Sequence, residues 1–170
     1  MSLTNIMSTK PTRVEATIAG RKLTLETGQV ARQAGGAVIA TLGDTRCFAA
    51  ATAGNARDDI DFFPLVCDYR EKTEAAGKIP GGFFKRETRP GPAEILNARL
   101  MDRPMRPLFP KTWRKDIQLI ATVLSFDGEH DTAIAAMLGA SAATCISELP
   151  FDGPMAGCRV TLVNGEYLIN

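Results

Sequence analysis

The chain has 170 residues, of which 45% are apolar and 23% charged, and it carries 20 lysines and arginines against 19 aspartates and glutamates. A chain of this length and composition buries a sufficient core as one domain, which excludes a disulfide-stapled miniprotein and a disordered tail. Its formal net charge of +1 also argues against a nucleic-acid partner, because nucleic-acid-binding domains usually carry a basic excess.

The first half of the sequence predicts strands separated by tight turns. Residues 1–12 are polar and are expected to form a mobile N-terminal tail, whereas residues 13–170 are expected to form one domain. Short apolar or alternating runs, each closed by glycine, aspartate or asparagine, are typical of antiparallel strands. The predicted strands are 21–26, 37–42, 46–53 and 62–69.

The second half mixes helices with strands. A helix is predicted over residues 93–103, which Pro104 ends or kinks, and a strand is predicted over residues 116–125. Asp131 or Thr132 can cap a second helix. Its expected buried face is Ile134, Met137, Leu138, Ser141 and Cys145.

The end of the chain predicts a β-hairpin, because Asn164-Gly165 separates two β-like runs. The fold class is therefore α+β, a mainly antiparallel or mixed sheet with two helices packed on it. Since Asn170 falls in or just after the return strand of this hairpin, we expect the sequence to be the N-terminal piece of a longer protein, with its domain incomplete at the C-terminal end.

The sequence contains no recognisable signal peptide or membrane-spanning run. Its first residues lack an apolar segment, and the weakly polar run 132–147 is too short and too polar to cross a bilayer. We therefore expect a cytoplasmic protein without a membrane partner. The four cysteines are far apart and each lies in or beside an apolar run, so reduced core cysteines are expected at Cys47, Cys67, Cys145 and Cys158.

The common catalytic motifs are missing from the sequence. It has no glycine-rich phosphate loop, no zinc-binding His-Glu-x-x-His and no nucleophile elbow, and the single histidine, His130, is expected to be a solvated or capping loop residue. Asp58, Asp59 and Asp61 could hold a cation, but an acidic turn before a strand is the commoner case. We assign no catalytic and no metal-ligating residue to this segment.

The charge is distributed unevenly along the chain. Residues 70–115 carry twelve basic and five acidic side chains, whereas residues 116–170 carry one and seven. Because charges act over only about 8 Å at physiological salt, a local basic window attracts polyanions even in a neutral protein. Composition alone leaves open whether this window binds a polyanion or is a solvated charged face.

The basic window contains two adjacent aromatic residues in a Gly/Pro-rich loop. Such a loop is a poor place for core phenylalanines, whereas rings beside cations suit single-stranded nucleic acid, because bases stack on rings while cations neutralise phosphates. The other interpretation is that one phenylalanine plugs the core and the cations face solvent. The candidate RNA-binding residues are Phe83, Phe84, Lys85, Arg86 and Arg89.

The predicted first helix carries a second charged cluster. At 100° per residue, three arginines and one aspartate share a sector of about 100°, while Leu96 and Leu100 beside it can face the core. Such a cluster either binds phosphate or RNA, or forms an Arg–Asp network that braces a subunit contact. Its members are Arg99, Asp102, Arg103 and Arg106.

At these residues the sequence resembles the polynucleotide phosphorylases, specifically their first ribonuclease PH-like domain. The resemblance runs from about Arg21 to Asn170 and rests on the strings LETGQVARQAGGAV, DFFPLVCDYREKTEAAGKIPGGFFKRE, ARLMDRPMRPLFP and GASAATCISELPFDGP. It implies a homotrimeric ring enzyme that degrades single-stranded RNA from the 3′ end with inorganic phosphate, releases nucleoside diphosphates, and can run in reverse as a polymerase.

The resemblance also implies a division of labour between domains. In this family a Phe-Phe-Arg-Arg-type loop lines the RNA channel, and here it reads Phe83-Phe84-Lys85-Arg86, where lysine keeps the charge but not the planar fork of arginine. Arg89, Arg99, Arg103 and Arg106 match the first-domain pattern. The phosphate, magnesium and acid–base residues of the family lie mainly in a second domain, so we expect this segment alone to be inactive.

Two alternatives to this function remain at the sequence level. One is a non-catalytic RNA-binding or scaffold subunit of a ribonuclease PH-type ring, which would use the same basic window without chemistry. The other is a single-domain ribonuclease PH, which the GGFFKRE string disfavours. The resemblance leaves open whether the protein joins a larger RNA-degradation assembly.

Overall fold

A computed structural model describes residues 10–56, 60–81, 83, 86–87 and 89–169. Most of its strands form one six-stranded sheet in the order β1-β2-β3-β4-β6-β5. These strands are β1 (Thr12–Ile18), β2 (Arg21–Thr27), β3 (Gly36–Leu42), β4 (Thr45–Ala56), β5 (Leu65–Arg70) and β6 (Lys115–Ser125). Neighbouring strands are antiparallel except β5, which runs parallel to β6 at one edge. The sheet is therefore mixed and mainly antiparallel, as predicted.

Two helices cover one face of this sheet: α1 (Pro92–Met105) and α2 (Thr132–Cys145). Strand β6 buries alternate residues, and its buried side chains join both helices in one core cluster. Burial of every second strand residue is the pattern of a sheet with one covered face. The predicted α+β class with two helices packed on a sheet is confirmed.

The chain closes with a separate two-stranded sheet, β7 (Val160–Val163) and β8 (Glu166–Ile169). Asn164 and Gly165 join the two strands, and both have positive φ, at 50° and 86°. Two central residues with positive φ are what a two-residue hairpin turn requires, and asparagine and glycine adopt that conformation most readily. The predicted terminal hairpin is confirmed.

Helix α2 lies unusually close to the sheet. A Cβ added to Gly36 on β3 would stand 2.0 Å from the carbonyl oxygen of Ala143, and a Cβ added to Gly139 would stand 3.2 Å from the side chains of Ala40 and Ala49. Small residues on both surfaces permit this approach. As a result α2 is buried on nearly all sides rather than on the single predicted face, and Cys145 at its end is exposed.

Helix α1 turns a different side to the core from the one predicted. Met101 and Met105 are buried, whereas Leu96 and Leu100 are 64% and 51% exposed, so the expectation that the leucines face the core is wrong. The two methionines lie on the far side of the helix from Leu96, and only one side can face the sheet. The helix also continues through Pro104 to Met105 before a 3₁₀ turn, Arg106–Leu108.

The cysteine prediction is only partly correct. All four cysteines are free, but only Cys47 is buried and Cys67 half-buried, whereas Cys145 and Cys158 are exposed. The last two lie beyond the regions where helix and sheet enclose the core. Within the described residues, no helix is long and apolar enough to cross a membrane. Of the predicted tail, residues 1–9 lie outside the described residues, and β1 begins at Thr12.

Candidate nucleic-acid interface

The loop between β5 and α1 carries the predicted RNA-binding residues. It follows a 3₁₀ turn, Thr73–Ala76, and ends at Gly91, the N-cap of α1. Phe83 is 95% exposed, and Ile79 in the same loop is 92% exposed. Phe84 and Lys85 lie outside the described residues. The exposure of Phe83 contradicts the alternative that this ring plugs the core, and it adds Ile79 as an apolar loop residue that the sequence analysis missed.

Both ends of this loop are bonded to Thr73. At the start of the loop, the N–H of Lys78 donates to the carbonyl oxygen of Thr73 at 3.2 Å. At its end, the carboxylate of Glu87 accepts from the N–H of Thr73 at 2.9 Å and from the Thr73 hydroxyl. The hydroxyl and backbone N–H of Thr73, together with nearby Lys72, lower the pKa of the Glu87 carboxyl. One residue thus closes the loop from residue 78 to residue 87.

A second glutamate fixes the junction of the loop with α1. Glu94 accepts from the N–H of Gly91, the N-cap residue, and from the N–H of Glu71 at 2.8 Å. Pro92 occupies the first helical position, where a missing N–H costs nothing. A carboxylate in the first turn also suits the positive end of the helix dipole. The start of α1 is therefore tied to the end of β5.

A cleft of about 790 Å³ opens beside this loop where β5 ends. It is lined by Arg70, Glu71, Lys72, Arg86, Glu87, Arg89, Glu94 and Thr122. The sequence analysis named only Arg86 and Arg89 of this set. The charge excess of residues 70–115 was the available signal for Arg70 and Lys72, but a charge count cannot say which cations share a cleft.

The acids and the cations of the cleft differ in how they are used. Each of its glutamates accepts hydrogen bonds from the chain: Glu87 from Thr73, Glu94 from backbone N–H groups, and Glu71 from the hydroxyls of Tyr69 and Thr132. Arg70 pairs with Asp68 at 3.0 Å. Lys72, Arg86 and Arg89 form no ion pair with any residue that the structure describes. Three cations therefore remain available to phosphates of a polyanion.

The charged cluster on α1 divides into two parts. Arg106 is engaged inside the chain: it donates to both oxygens of Asp102 and to the carbonyl oxygens of Phe63 and Leu65, at 3.1 and 3.0 Å. Its guanidinium also stands 5.7 Å from the centre of the Phe63 ring. The Arg–Asp network is present, and it holds the end of α1 against the start of β5.

Arg99 and Arg103, the other part of the cluster, are exposed and form no ion pair with a described residue. Arg99 lines a shallower cleft of about 360 Å³ between β5 and α1, together with Asp102 and Arg106. Contact with RNA or with another subunit stays a prediction for these two arginines.

The N-terminus of α2 is a further position where an anion could bind, since backbone N–H groups point outward there. The chain's own Asp131 occupies it, accepting from the N–H groups of Ala133 at 2.8 Å and Ile134 at 3.3 Å and pairing with Arg159. Glu71 lies beside it, bonded to Thr132. Two carboxylates at this helix end leave no favourable place for phosphate.

His130 has a structural role rather than a solvated one. Its ring Nδ1 lies 2.6 Å from Asp127, and both side chains are mostly buried. Asp127 also accepts from the N–H of Asp44 and from the hydroxyl of Thr45. The pair therefore fastens the turn between β3 and β4 to the loop before α2.

A metal site is not formed by the residues that the structure describes, because no three of their His, Cys, Asp and Glu side chains are placed to hold an ion. Asp58 and Asp59 of the acidic turn lie outside those residues.

Comparison with known proteins defines the family. The family model described as 3′ exoribonuclease family, domain 1 (RNase PH), matches residues 19–150. The chain belongs to this family. This confirms the ribonuclease PH-like fold implied by the resemblance, and it places the Phe83 loop and its cleft within a 3′ exoribonuclease domain.

Relatives with curated names agree with this membership. The chain is 55% identical over 159 residues to the polyribonucleotide nucleotidyltransferase of Gluconacetobacter diazotrophicus, covering 93% of this chain and 22% of that protein. It is also 55% identical over 152 residues to the polyribonucleotide nucleotidyltransferase of Macrococcus caseolyticus, covering 89% and 22%. The chain thus spans 22% of the length of these relatives.

Solved structures share the fold. An Archaeoglobus fulgidus exosome with RNA bound to the active site aligns at a TM-score of 0.60 and 18% identity, covering 95% of this chain and 65% of that chain. An archaeal exosome core aligns at 0.60 and 17%, covering 95% and 63%. At these identities the likeness concerns the fold alone.

Proposed function

We propose that this chain is the RNA-gripping part of the first domain of a phosphate-dependent 3′-to-5′ exoribonuclease, a polyribonucleotide nucleotidyltransferase. The complete protein uses inorganic phosphate to attack the terminal phosphodiester of single-stranded RNA. The bond from that phosphorus to the 3′ oxygen breaks, so a nucleoside diphosphate leaves and the RNA ends in a new 3′ hydroxyl. The same enzyme run in reverse extends RNA.

The observation that carries the proposal is the exposed Phe83 beside the cation-lined cleft. An apolar ring that is 95% exposed suits a surface that meets a flat partner. RNA bases stack on such rings, at about 1 to 3 kcal/mol per base, while Arg86, Arg89 and Lys72 lie where phosphates can be neutralised. One structural neighbour is an exosome with RNA bound to its active site.

The chemistry itself is proposed to occur elsewhere in the complete protein. In the described part of this chain the N-terminus of α2 is blocked by Asp131, and no group of side chains is placed to hold a metal. Phosphate and magnesium are accordingly assigned to a second domain, where a divalent ion would stabilise charge on the reacting phosphate. This segment contributes binding and position, and we expect it to be inactive alone.

The same proposal extends to the oligomeric state and the cellular location of the complete protein. We infer a homotrimeric ring in the cytoplasm that degrades messenger RNA, either alone or within a larger RNA-degradation assembly. The fold is shared with a chain of an archaeal exosome core, and the exposed Arg99 and Arg103 on α1 are available for RNA or for a neighbouring subunit. Native mass measurement of the complete protein tests the trimer.

The decisive experiment follows products rather than RNA loss. The complete protein is incubated with single-stranded RNA, with and without phosphate and magnesium, and products are separated by chromatography. We expect nucleoside diphosphates only when both are present. Phosphate-independent release of monophosphates contradicts the proposal. RNA binding without any product favours the scaffold alternative.

The loop is tested with Phe83→Ala combined with Phe84→Ala in the same assay. We expect weaker RNA binding and slower degradation of long RNA than of short RNA, because a channel grip far from the reaction centre is used only by substrates long enough to reach it. Exposed Val14 on β1, at the opposite edge of the sheet from β5, provides a control, Val14→Ala, which removes an apolar side chain away from the loop. Equal losses on long and short RNA contradict the channel role.

A further inference from the structure

The hydrogen bonds of Thr73 can hold the Gly/Pro-rich loop that carries Phe83 in a position to bind RNA. Lys78 and Glu87 both bond to the same residue: the carbonyl of Thr73 accepts from Lys78, and the Thr73 N–H and hydroxyl donate to Glu87. Phe83 and Arg86 lie inside the closed segment. A loop closed at one point loses conformational freedom before its ligand arrives.

Glu87 is an unexpected residue in this place. It lies next to Arg86 in a cleft that would receive a polyanion, and a carboxylate there repels phosphate. Its negative charge is not used to pair with Arg86 or Arg89; the carboxylate accepts hydrogen bonds from Thr73 instead. The geometric function of this acid therefore opposes its electrostatic effect, and the two effects predict opposite results when the acid is removed.

We propose that Glu87 is a positioning residue, whose bond to Thr73 latches the loop of residues 78–87 so that Phe83 and Arg86 are held ready for RNA. The proposal rests on the proposed RNA-binding function and deepens it. Glu87 itself touches no RNA. Because the latch already restricts the loop before RNA binds, less conformational entropy is lost on binding. More of the favourable energy of stacking and phosphate contacts then contributes to the measured affinity.

The direction in which Glu87→Ala changes RNA affinity tests the proposal. Binding of a fluorescent single-stranded RNA to the complete protein is measured by anisotropy. If charge alone matters, Glu87→Ala tightens binding, because a like charge has gone. If the latch matters, Glu87→Ala weakens binding by about tenfold. Glu74→Ala removes an exposed acid one residue from Thr73 and leaves the latch intact, so its affinity stays equal to the wild type or rises.

Further variants test whether the hydrogen bonds between Glu87 and Thr73, rather than the Glu87 side chain as such, are responsible. Glu87→Gln keeps an oxygen that accepts from the Thr73 N–H and is expected to retain most of the affinity, as is Thr73→Ser. Thr73→Val removes the hydroxyl and keeps the N–H, so its RNA affinity should lie between those of the wild type and Glu87→Ala. Trypsin cleavage after Lys78 reports loop opening directly and should become faster in Glu87→Ala. In a background lacking Phe83 and Arg86, Glu87→Ala should no longer weaken RNA binding.

The outcomes distinguish the latch from the grip. Unchanged or tighter binding by Glu87→Ala, together with weaker binding by Phe83→Ala, overturns the latch and leaves the grip. Unchanged binding by the variant lacking both Phe83 and Arg86 overturns the grip and the role of the latch in it. A loss in Glu87→Ala that persists unreduced in that background also overturns the latch, because Glu87 would then act by another route.

Discussion

The guanidinium of Arg106 donates to both oxygens of Asp102, from Nη2 at 2.6 Å and from Nε at 3.0 Å, across one turn of helix α1. The same guanidinium donates to the carbonyl oxygens of Phe63 and Leu65 and stacks near the Phe63 ring. A planar group with parallel donors satisfies helix and strand together. This one side chain therefore fixes the end of α1 against the start of β5.

Replacing this guanidinium should loosen the junction without unfolding the chain. Arg106→Lys keeps the charge but loses the planar guanidinium, so we expect the free energy of unfolding to fall by about 1 to 2 kcal/mol. This loss is smaller than for a buried hydrogen bond to a charged group, because the side chain is partly exposed. Hydrogen exchange of the amides in the last turn of α1 and the start of β5 should become faster. Arg103→Lys, on the same helix and exposed, should leave exchange unchanged; equal effects in both variants contradict the assignment.

The proposed phosphate contacts make a prediction about salt. Arg86→Ala should lower the slope of log affinity against log salt concentration by about 0.7 for single-stranded RNA, because one fewer counterion is released. The measurement is RNA binding by the complete protein over a range of salt concentrations. Arg46→Ala on β4 is the matched control, since Arg46 is exposed and lies outside the cleft. A slope that Arg86→Ala leaves unchanged excludes a phosphate contact for that residue.

The close contact of α2 with β3 predicts a strongly position-dependent effect of a single methyl group. A Cβ at Gly36 stands 2.0 Å from a backbone oxygen that cannot rotate away. Gly36→Ala should therefore lower the free energy of unfolding by about 1 to 3 kcal/mol or more, measured by urea unfolding. Gly81→Ala, where the added Cβ has no neighbour within 4 Å, should leave stability almost unchanged. A neutral Gly36→Ala would show that helix and sheet can separate at little cost.

Asp127 predicts a pH-dependent contribution to stability. Burial raises the pKa of this carboxyl, but N–H groups of His130 and Glu129, the His130 ring and the Thr45 hydroxyl outweigh it and hold the pKa well below its usual range. A carboxyl with a lowered folded pKa stabilises the fold above its unfolded pKa, about 3.9, and that stability is lost as the pH falls through the folded pKa.

Asp127→Asn should therefore cost about 1 to 3 kcal/mol at neutral pH, and its difference from the wild type should shrink below about pH 4. Unfolding by urea at a series of pH values measures both quantities. Asp152→Asn replaces an exposed aspartate and serves as the reference. A difference between wild type and Asp127→Asn that stays constant from pH 7 to the lowest pH that permits folding contradicts the assignment.

The cysteines predict a pattern of chemical reactivity. Burial, with the nearby carboxylates of Glu71 and Asp131, raises the pKa of the Cys47 thiol to about 12, and burial also raises the pKa of Cys67. Since the thiolate is the reactive form, these two should label slowly, whereas exposed Cys158 should label fastest; Cys145 is also exposed, but partial burial raises its pKa, so it should label at an intermediate rate. Mass spectrometry after timed alkylation checks the order, and Cys158→Ser removes one fast site. Rapid labelling of Cys47 in the folded chain contradicts the burial.

Local sequence patterns determined the class of this fold and its turns. The apolar run of β6, asparagine and glycine at Asn164-Gly165, and a helix cap at Asp131 or Thr132 each depend on a few neighbouring residues, so they can be recognised without the rest of the chain. The candidate RNA-binding loop was predicted in the same way, because adjacent phenylalanines beside cations form a local signal. Family membership, which rested on extended strings, was also determined at this level.

Tertiary structure decided which side of each helix is buried and which charges are free. Leu96 and Leu100 look like core residues on a helical projection, yet the side with Met101 and Met105 meets the sheet, because packing selects one face by shape and distance. Arg99, Arg103 and Arg106 share a sector, but only Arg106 reaches Asp102 and the strand carbonyls. The bond from Glu87 to Thr73 joins residues that lie 14 apart in the sequence, across the loop that precedes α1. Its existence depends on where that loop returns, which a periodic pattern cannot encode.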